Sequence, residues 1–446
     1  MAHRISMKII ICIIVVAVTG VFISSVKANA KDVPYVSLES ILLFSLHESL
    51  KIKIANEQRS QANFSLDEAE SEYLPDIALT AEGGVEYNDP AGFETPPSDG
   101  ETAYTGLTSD INLSLRQMLF DKTKTMEIAR REQAVSSKDL EVELVIEDTI
   151  EETVNTYIDV LSAQKEAYLS AEMLIKLTEI AEKIDFSYSE GGISKSRADF
   201  ASARLALAES KYSQSVSSYK DATSRLKSLT GPMPDFLVIE PQELSVEDYD
   251  MNFYKHLAKK KNSELRLIES NIQSSQLDYK TQEARYLPKV DFVAEAGRGF
   301  NKGGDTGGAN DASAIFRLQY DIFKGGERKA AIGRTKSKVK ELEYEKEDLI
   351  RDITKNVKID YNEIQGVIDT IETKTREVES YLSLRDIAFK ASEVGEVDLF
   401  KSIENEENLH EAMVTIFQLE SDKYKKSYSL LRTIGALKKS KFCESC

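Results

Sequence analysis

The sequence predicts a mainly α-helical fold with a transmembrane β-barrel portion, built from a duplicated helix–hairpin–helix repeat. Three observations predict it. Two halves of the chain match at a nearly constant offset. Each half holds an uninterrupted run of helical periodicity far longer than the three or four turns usual in a globular core. Each half also holds two short segments of alternating apolar and polar residues, the pattern of a strand with one apolar face.

The first thirty residues stand apart. Arg4 and Lys8 precede an apolar run over 9–18 that resumes at 21–23, and Ala28-Asn29-Ala30 places small residues where a signal peptidase cuts. This is the pattern of a secretory signal peptide over residues 1–30. The run is short and broken by Gly20, which argues against a membrane anchor. Cys12 lies inside the run rather than at the cut, so nothing supports lipid attachment through an N-terminal cysteine.

Of the 57 basic residues, Arg4, Lys8 and Lys27 belong to this leader, which carries no acid. The remainder keeps 54 basic against 75 acidic side chains, a net charge of −21. Such a surface repels phosphates and argues against a nucleic-acid partner. Beyond residue 30 no run of about 20 apolar residues occurs, so any membrane crossing falls to strands. Cys443 and Cys446 form a C-x-x-C pair at the very end, without a companion His or Cys, and read as a non-functional tail.

The duplication is explicit. Tyr73-Leu74-Pro75 matches Tyr286-Leu287-Pro288 at an offset of 213. Leu119-Phe120-Asp121 matches Ile322-Phe323-Lys324 at 203, and Phe186 through Gly192 matches Phe389 through Gly395 at the same 203. Leu229-Thr230-Gly231 matches Thr433-Ile434-Gly435 at 204. Loops drift in length readily. An unchanged spacing of 72 steps from Phe120 to Gly192, repeated from Phe323 to Gly395, therefore implies rigid elements. The division is a first repeat over 31–230, a Pro-containing acidic linker over 231–250, a second repeat over 251–437 and a tail over 438–446.

Each repeat reads helix, strand, loop, strand, helix, turn, helix. The opening helices are expected over 38–73 and 252–286, each stopped by a proline at 75 or 288. The next helix, over 122–187, contains neither Pro nor Gly. Its apolar residues Ile150, Val154, Tyr157 and Leu161 fall in steps of three and four, as do Leu349, Ile353, Val357, Tyr361 and Ile364 in the second copy. At 1.5 Å per residue such a helix is about 100 Å long and needs neighbours along its whole length.

Four segments alternate with a period of two. Ile77, Leu79, Ala81, Val85 and Tyr87 oppose Thr80, Glu82 and Glu86, and Ile111, Leu113 and Leu115 oppose Asp110, Asn112, Ser114 and Arg116. Val290, Phe292, Ala294 and Ala296 oppose Lys289, Asp291 and Glu295, with Val293 an exception. Ala314, Phe316, Leu318, Tyr320 and Ile322 oppose Ser313, Arg317, Gln319 and Asp321. Each is about ten residues long, enough for a tilted strand to cross a bilayer. Four strands cannot close a barrel, and an open edge in lipid costs several kcal/mol per unpaired group. Copies of the chain must pool their strands, two giving eight and three giving twelve, with the larger number favoured for a lumen.

The order of elements, the duplication, the Leu-Pro before the first and third strands, and Tyr320-Asp321-Ile322-Phe323-Lys324-Gly325-Gly326 resemble the TolC-like outer-membrane efflux proteins. The resemblance spans nearly the whole mature chain. It implies a homotrimeric α/β-barrel channel-tunnel with twelve strands in outer-membrane lipid, helices reaching through the periplasm and an equatorial girdle. It further implies partners, a periplasmic adaptor and an inner-membrane pump, which meet the helical turns. Those turns map to Glu190, Gly191, Gly192 and Ile193, followed by a capping-box variant at Ser196 and Asp199, and to Val394, Gly395, Glu396 and Val397. Family members carry aspartates six and nine residues after the second turn glycine; here those positions are Lys401 and Glu404. These two are the candidates for an entrance constriction, and the departure puts an acidic ring in question.

Two other classes compete. A periplasmic coiled-coil scaffold without a pore explains the long helices and the acidity but leaves the four alternating strands without a purpose. An enzyme finds little support: His47, His256 and His410 lack metal-ligand spacing, and Gly303-Gly304 and Gly307-Gly308 sit in a loop rather than ahead of a helix. No catalytic residue and no cofactor or metal is called for. The cargo is not legible.

Overall fold

The computed structural model describes residues 34–88, 104–231, 236–242, 250–301, 307–393 and 399–437. The expected signal peptide, the tail with Cys443 and Cys446, and Val394, Gly395, Glu396 and Val397 lie outside the described residues. In chain order the elements are β1 (Tyr35–Val36), α1 (Leu38–Glu48), α2 (Leu50–Ser71), β2 (Asp76–Asn88), β3 (Tyr104–Phe120), α3 (Lys122–Ser189) and α4 (Lys195–Thr230). There follow β4 (Leu237–Val238), α5 (Met251–Lys261), α6 (Ser263–Ala284), β5 (Lys289–Phe300), β6 (Gly308–Gln319), α7 (Glu327–Glu393) and α8 (Leu399–Thr433). Helices of 68 and 67 residues form α3 and α7. Among the described residues no helix is long and apolar enough to cross a membrane.

Each opening helix, expected to be continuous, is two helices. Ser49 (ψ 115°) divides α1 from α2, and Asn262 (ψ 129°) divides α5 from α6. The two breaks are 213 residues apart, the offset of the Leu-Pro motifs. One residue ends one helix and starts the next. The Ser49 N–H donates to Ser45 O at 2.9 Å while its hydroxyl accepts from the Ile52 N–H. The Asn262 N–H donates to Ala258 O at 3.0 Å while its Oδ1 accepts from the Leu265 N–H at 2.9 Å. Ser and Asn satisfy orphan N–H groups at a helix start better than any apolar residue. No proline or glycine marks the site, which is why a search for breakers passes over it.

The second break is locked from outside. Asn262 Nδ2 donates to Thr433 O at 2.9 Å. Beyond α8 the chain turns in a Schellman motif, with the Ala436 N–H on Leu431 O and the Gly435 N–H on Arg432 O, both at 2.8 Å. Gly435 has φ +65°, and a Cβ there would lie 2.1 Å from Lys261 O. Only glycine allows the two backbones to approach so closely.

The core is strung along the helices. One cluster joins Ile41 and Leu42 of α1 to Ile150, Val154, Tyr157 and Leu161 of α3, Leu226 of α4 and Tyr428 of α8. A second joins Tyr254 and Ala258 to Ile353, Val357 and Ile364 of α7 and Leu430 of α8. The α7 residues occupy the positions of Ile150, Val154 and Leu161 in the other copy. Full burial of each such side chain stabilises by roughly 1.5–3 kcal/mol. At the waist β1 pairs in parallel with β4. The Tyr157 hydroxyl clamps this pair: it donates within reach of Val36 O (2.9 Å) and Ile239 O (2.6 Å) and accepts from the Ile239 N–H at 3.1 Å.

Candidate functional site

The sheet orders as β2-β3-β5-β6, antiparallel throughout. Its register aligns the apolar sets. Ile77, Leu115, Ala294 and Ala314 form one cross-strand row, and Leu79, Leu113, Ala296 and Ala312 the next. Phe292 and Phe316 stack on the same face with ring centroids 5.3 Å apart. A one-residue slip would turn every one of these side chains to the other face. This face is open in the chain: Leu79 is 69% exposed and Phe316 75%. The opposite face carries Thr80, Asn112 and Asp311 in one row and Glu82 beside Asp110 in another. There Arg116 Nη2 holds Asp291 at 3.0 Å.

The strands are longer than the ten residues expected, reaching 17 in β3. The cause is stagger. Residues 104–108 of β3 pair with β2 alone, and residues 117–120 with β5 alone. Stagger of this kind accompanies strand tilt in barrels. The fourth strand is shorter than its alternation, which continues to Ile322. Gln319 pairs with Lys289, and the next position across is Pro288, which has no N–H to offer.

At the far end of α3 the first turn is a second Schellman motif: the Gly192 N–H bonds Ser187 O at 2.8 Å and the Gly191 N–H bonds Tyr188 O at 2.9 Å. Gly191 has φ +77°. Glu190, Gly191 and Gly192 are exposed, while Ile193 is half-buried and packs with Leu399 and Phe400 of α8 on a cluster around Met173, Ile184 and Ile403. The return helix begins two residues earlier than the capping box suggests. Ser194 is its N-cap, without a side-chain cap bond, because the Schellman turn already delivers the chain there.

Lys401 Nζ and Glu404 Oε2 form an ion pair at 2.7 Å, both largely exposed on α8. Arg204 reaches from α4 to Glu407 at 3.2 Å, and the Arg197 guanidinium lies 5.0 Å from the Phe400 ring centre. These contacts tie the first turns of α4 to the first turns of α8.

Sequence reasoning missed the buried charges. Glu406 is 9% exposed, and burial raises its carboxyl above the usual range, opposed by Arg385. Burial lowers the His410 imidazole, assisted by Lys211. At the waist burial pushes the Glu147 carboxyl up to about 7, while the Ser263 hydroxyl donates to it at 2.7 Å and Arg432 acts in the opposite sense. Arg432 itself spans Asp148 (2.6 Å), Glu264 (3.1 Å) and Glu151 (3.2 Å). The available signal was positional: Glu147 sits one helical step from the stripe at Ile150, and Glu406 continues the stripe from Ile403. Among the described residues no group of His, Cys, Asp and Glu is arranged to hold a metal ion.

Residues 255–436 match the model of the outer membrane efflux protein family. No curated protein matches by sequence. By structure the chain is similar to the Campylobacter jejuni CmeC outer membrane channel, with TM-score 0.76, 16% identity, and coverage of 90% of this chain and 86% of that one. It is also similar to the Neisseria gonorrhoeae MtrE outer membrane channel in its open state, with TM-score 0.73, 14% identity and coverage of 90% and 89%. The Vibrio cholerae outer membrane protein VceC gives TM-score 0.73 at 14% identity, covering 89% and 96%. At these identities the likeness carries the fold, and it carries it over both halves of the chain.

Proposed function

We propose, from the premise that residues 255–436 belong to the outer membrane efflux protein family, that this chain is one subunit of a passive export duct. Three copies pool their sheets into a twelve-stranded barrel in the outer membrane, and their helices run on as a tunnel through the periplasm. The observation that carries this reading is the joining, within one chain, of an open sheet whose apolar rows lie on one exposed face to two helices of about 100 Å. The division into a leader over 1–30, repeats over 31–230 and 251–437, a linker over 231–250 and a tail over 438–446 belongs to the same reading.

The duct performs no chemistry. A periplasmic adaptor meets the turns at Glu190, Gly191, Gly192 and Ile193 and at Val394, Gly395, Glu396 and Val397, and an inner-membrane pump supplies the energy. The system is a tripartite efflux pump or a type I secretion apparatus. Opening is a rotation of the helices near the turns between two packings. Lys401 and Glu404 of each copy would bring a charge-balanced constriction to the entrance rather than an acidic one, given their ion pair.

The test is conductance of the purified mature protein across a planar bilayer, together with urea washing of membranes. Ion conduction and retention in washed membranes are expected; a monomer that washes off and never conducts points to the scaffold reading instead. For the turns, Glu396→Lys should weaken export with trimer yield unchanged, and intact export would remove that turn from the docking surface.

A further inference from the structure

The chain contains a template for its own contact with a second copy. Within the chain, α6 lies between α3 and α7, whereas its counterpart α2 packs mainly on α3. One long face of α2 is therefore bare: Leu50, Ile54 and Phe64 are 71%, 59% and 70% exposed. The matching bare surface is the face of α7 that corresponds to the α6-binding face of α3. An offset of 203 relates the long helices, and 213 relates α2 to α6.

The internal contact is fully specified. Gln133 Nε2 and the Ser137 hydroxyl both meet the Ser270 hydroxyl at 2.7 Å. Glu147 accepts from Ser263, and Glu143 meets Arg266 at 2.6 Å. Moved by the offsets, Gln133 and Ser137 become Lys336 and Lys340, and Ser270 becomes Glu57. All three are exposed, and none has an ion-pair partner among the described residues. Glu147 and Ser263 become Ile350 and Leu50, a buried hydrogen bond replaced by an apolar pair. Arg266 becomes Lys53 opposite Lys346, whose charge Glu269 already meets at 2.8 Å.

The two long helices also differ in charge over this stretch, although Glu343 and Glu347 remain on the α7 side. Positions 143, 147, 148, 151, 152 and 159 of α3 are all carboxylates. The same six positions of α7 are Lys346, Ile350, Arg351, Thr354, Lys355 and Asn362, with no carboxylate. The groups that meet these carboxylates inside the chain are basic: Arg432 on Asp148, Lys425 on Asp159 at 2.5 Å, and Lys51 of α2 itself on Glu152 at 2.5 Å. The counterparts of Arg432 and Lys425 in α4 are Ser228 and Asp221.

We propose that α2 of a second copy docks on α7 in the register of the internal α3–α6 contact, with its Glu57 between Lys336 and Lys340 and its Leu50 on Ile350. This inference rests on the trimeric reading above and adds its register.

The hydroxyls of Ser137 and Ser270 touch, so their counterparts are close enough for a disulfide. The experiment pairs Glu57→Cys with Lys340→Cys in a chain whose Cys443 and Cys446 are serines. Mild oxidation of whole membranes should give covalent trimers on a denaturing gel, several-fold above Ile54→Cys with Lys340→Cys, which is about one turn out of register. Independently, Glu57→Lys should weaken trimers at least about tenfold, and Lys336→Glu with Lys340→Glu should restore them. A trimeric parent whose Glu57–Lys340 cysteine pair fails to link, or links no better than the shifted pair, overturns the register alone. A monomeric parent overturns the trimeric reading and this interface together.

Discussion

Substituting Gly435 by alanine tests the lock on the second helix break. Two costs add. A left-handed alanine costs roughly 1–2 kcal/mol. The new Cβ would stand 2.1 Å from Lys261 O, so two backbones must separate by about 1 Å to restore a normal contact, an overpacking strain of about 1–3 kcal/mol. That separation also loosens the 2.9 Å bond from Asn262 to Thr433 O, a further loss of about 1 kcal/mol. The sum is about 3–6 kcal/mol.

Gly191 provides the comparison. It holds the same position in the other Schellman turn at φ +77°, but a Cβ there meets nothing within 4 Å. Gly191→Ala should therefore cost only the first contribution. The assay is the thermal midpoint of helical circular dichroism in detergent. At about 1–2 °C per kcal/mol for a chain of this length, Gly435→Ala should fall by at least twice the shift of Gly191→Ala. Gly435→Asn separates the two costs, because asparagine tolerates the left-handed region yet keeps the Cβ. Equal shifts for the two alanine variants, or a wild-type midpoint for Gly435→Asn, would refute the close-approach argument.

Glu147 gives a pH dependence. Its carboxyl is raised from 4.5 to about 7 in the folded chain, so folding favours the protonated form. That stabilisation is complete below about pH 4.5 and is lost as pH rises through 7. Glu147→Gln should flatten this loss and gain about 2–3 kcal/mol over wild type at pH 8, read from denaturant midpoints at pH 5 and pH 8; parallel profiles would remove Glu147 as the source. On the sheet, Leu79→Arg should abolish membrane insertion at a cost of about 2–4 kcal/mol per copy. Thr80→Arg, one residue along and on the opposite face, should insert normally, and equal insertion of the two in a heat-modifiability gel would count against the assigned faces.

The repeat, the long helices and the faces of the strands were legible because each follows from a period. Apolar residues at Ile150, Val154, Tyr157 and Leu161 can be buried together only on a helix, and the four alternating segments only on strands. The breaks at Ser49 and Asn262 were not legible. Their cause is a capping side chain and a neighbour 171 residues away at Thr433, not a local breaker. The reach of the strands was misjudged for a related reason: β3 extends to 17 residues through its two staggered neighbours, and a period says nothing about partners. At the candidate entrance the sequence pointed to Lys401 and Glu404 by position, and the structure places them as an exposed pair. The buried acid Glu406 went unnoticed because a glutamate on an apolar stripe reads as an interruption until its burial is seen.

The two one-residue breaks have a mechanical consequence. Past the waist, α3 continues without interruption from about residue 150 to its turn at Gly191, a rigid arm of roughly 60 Å. The helices beside it restart at Ser49 and Asn262, so they resist bending there less than a continuous helix would. The waist is thus a fulcrum with a short, strand-anchored side and a long free one. A tilt of about 10° at this point carries the far turn through about 10 Å, while the sheet stays in place.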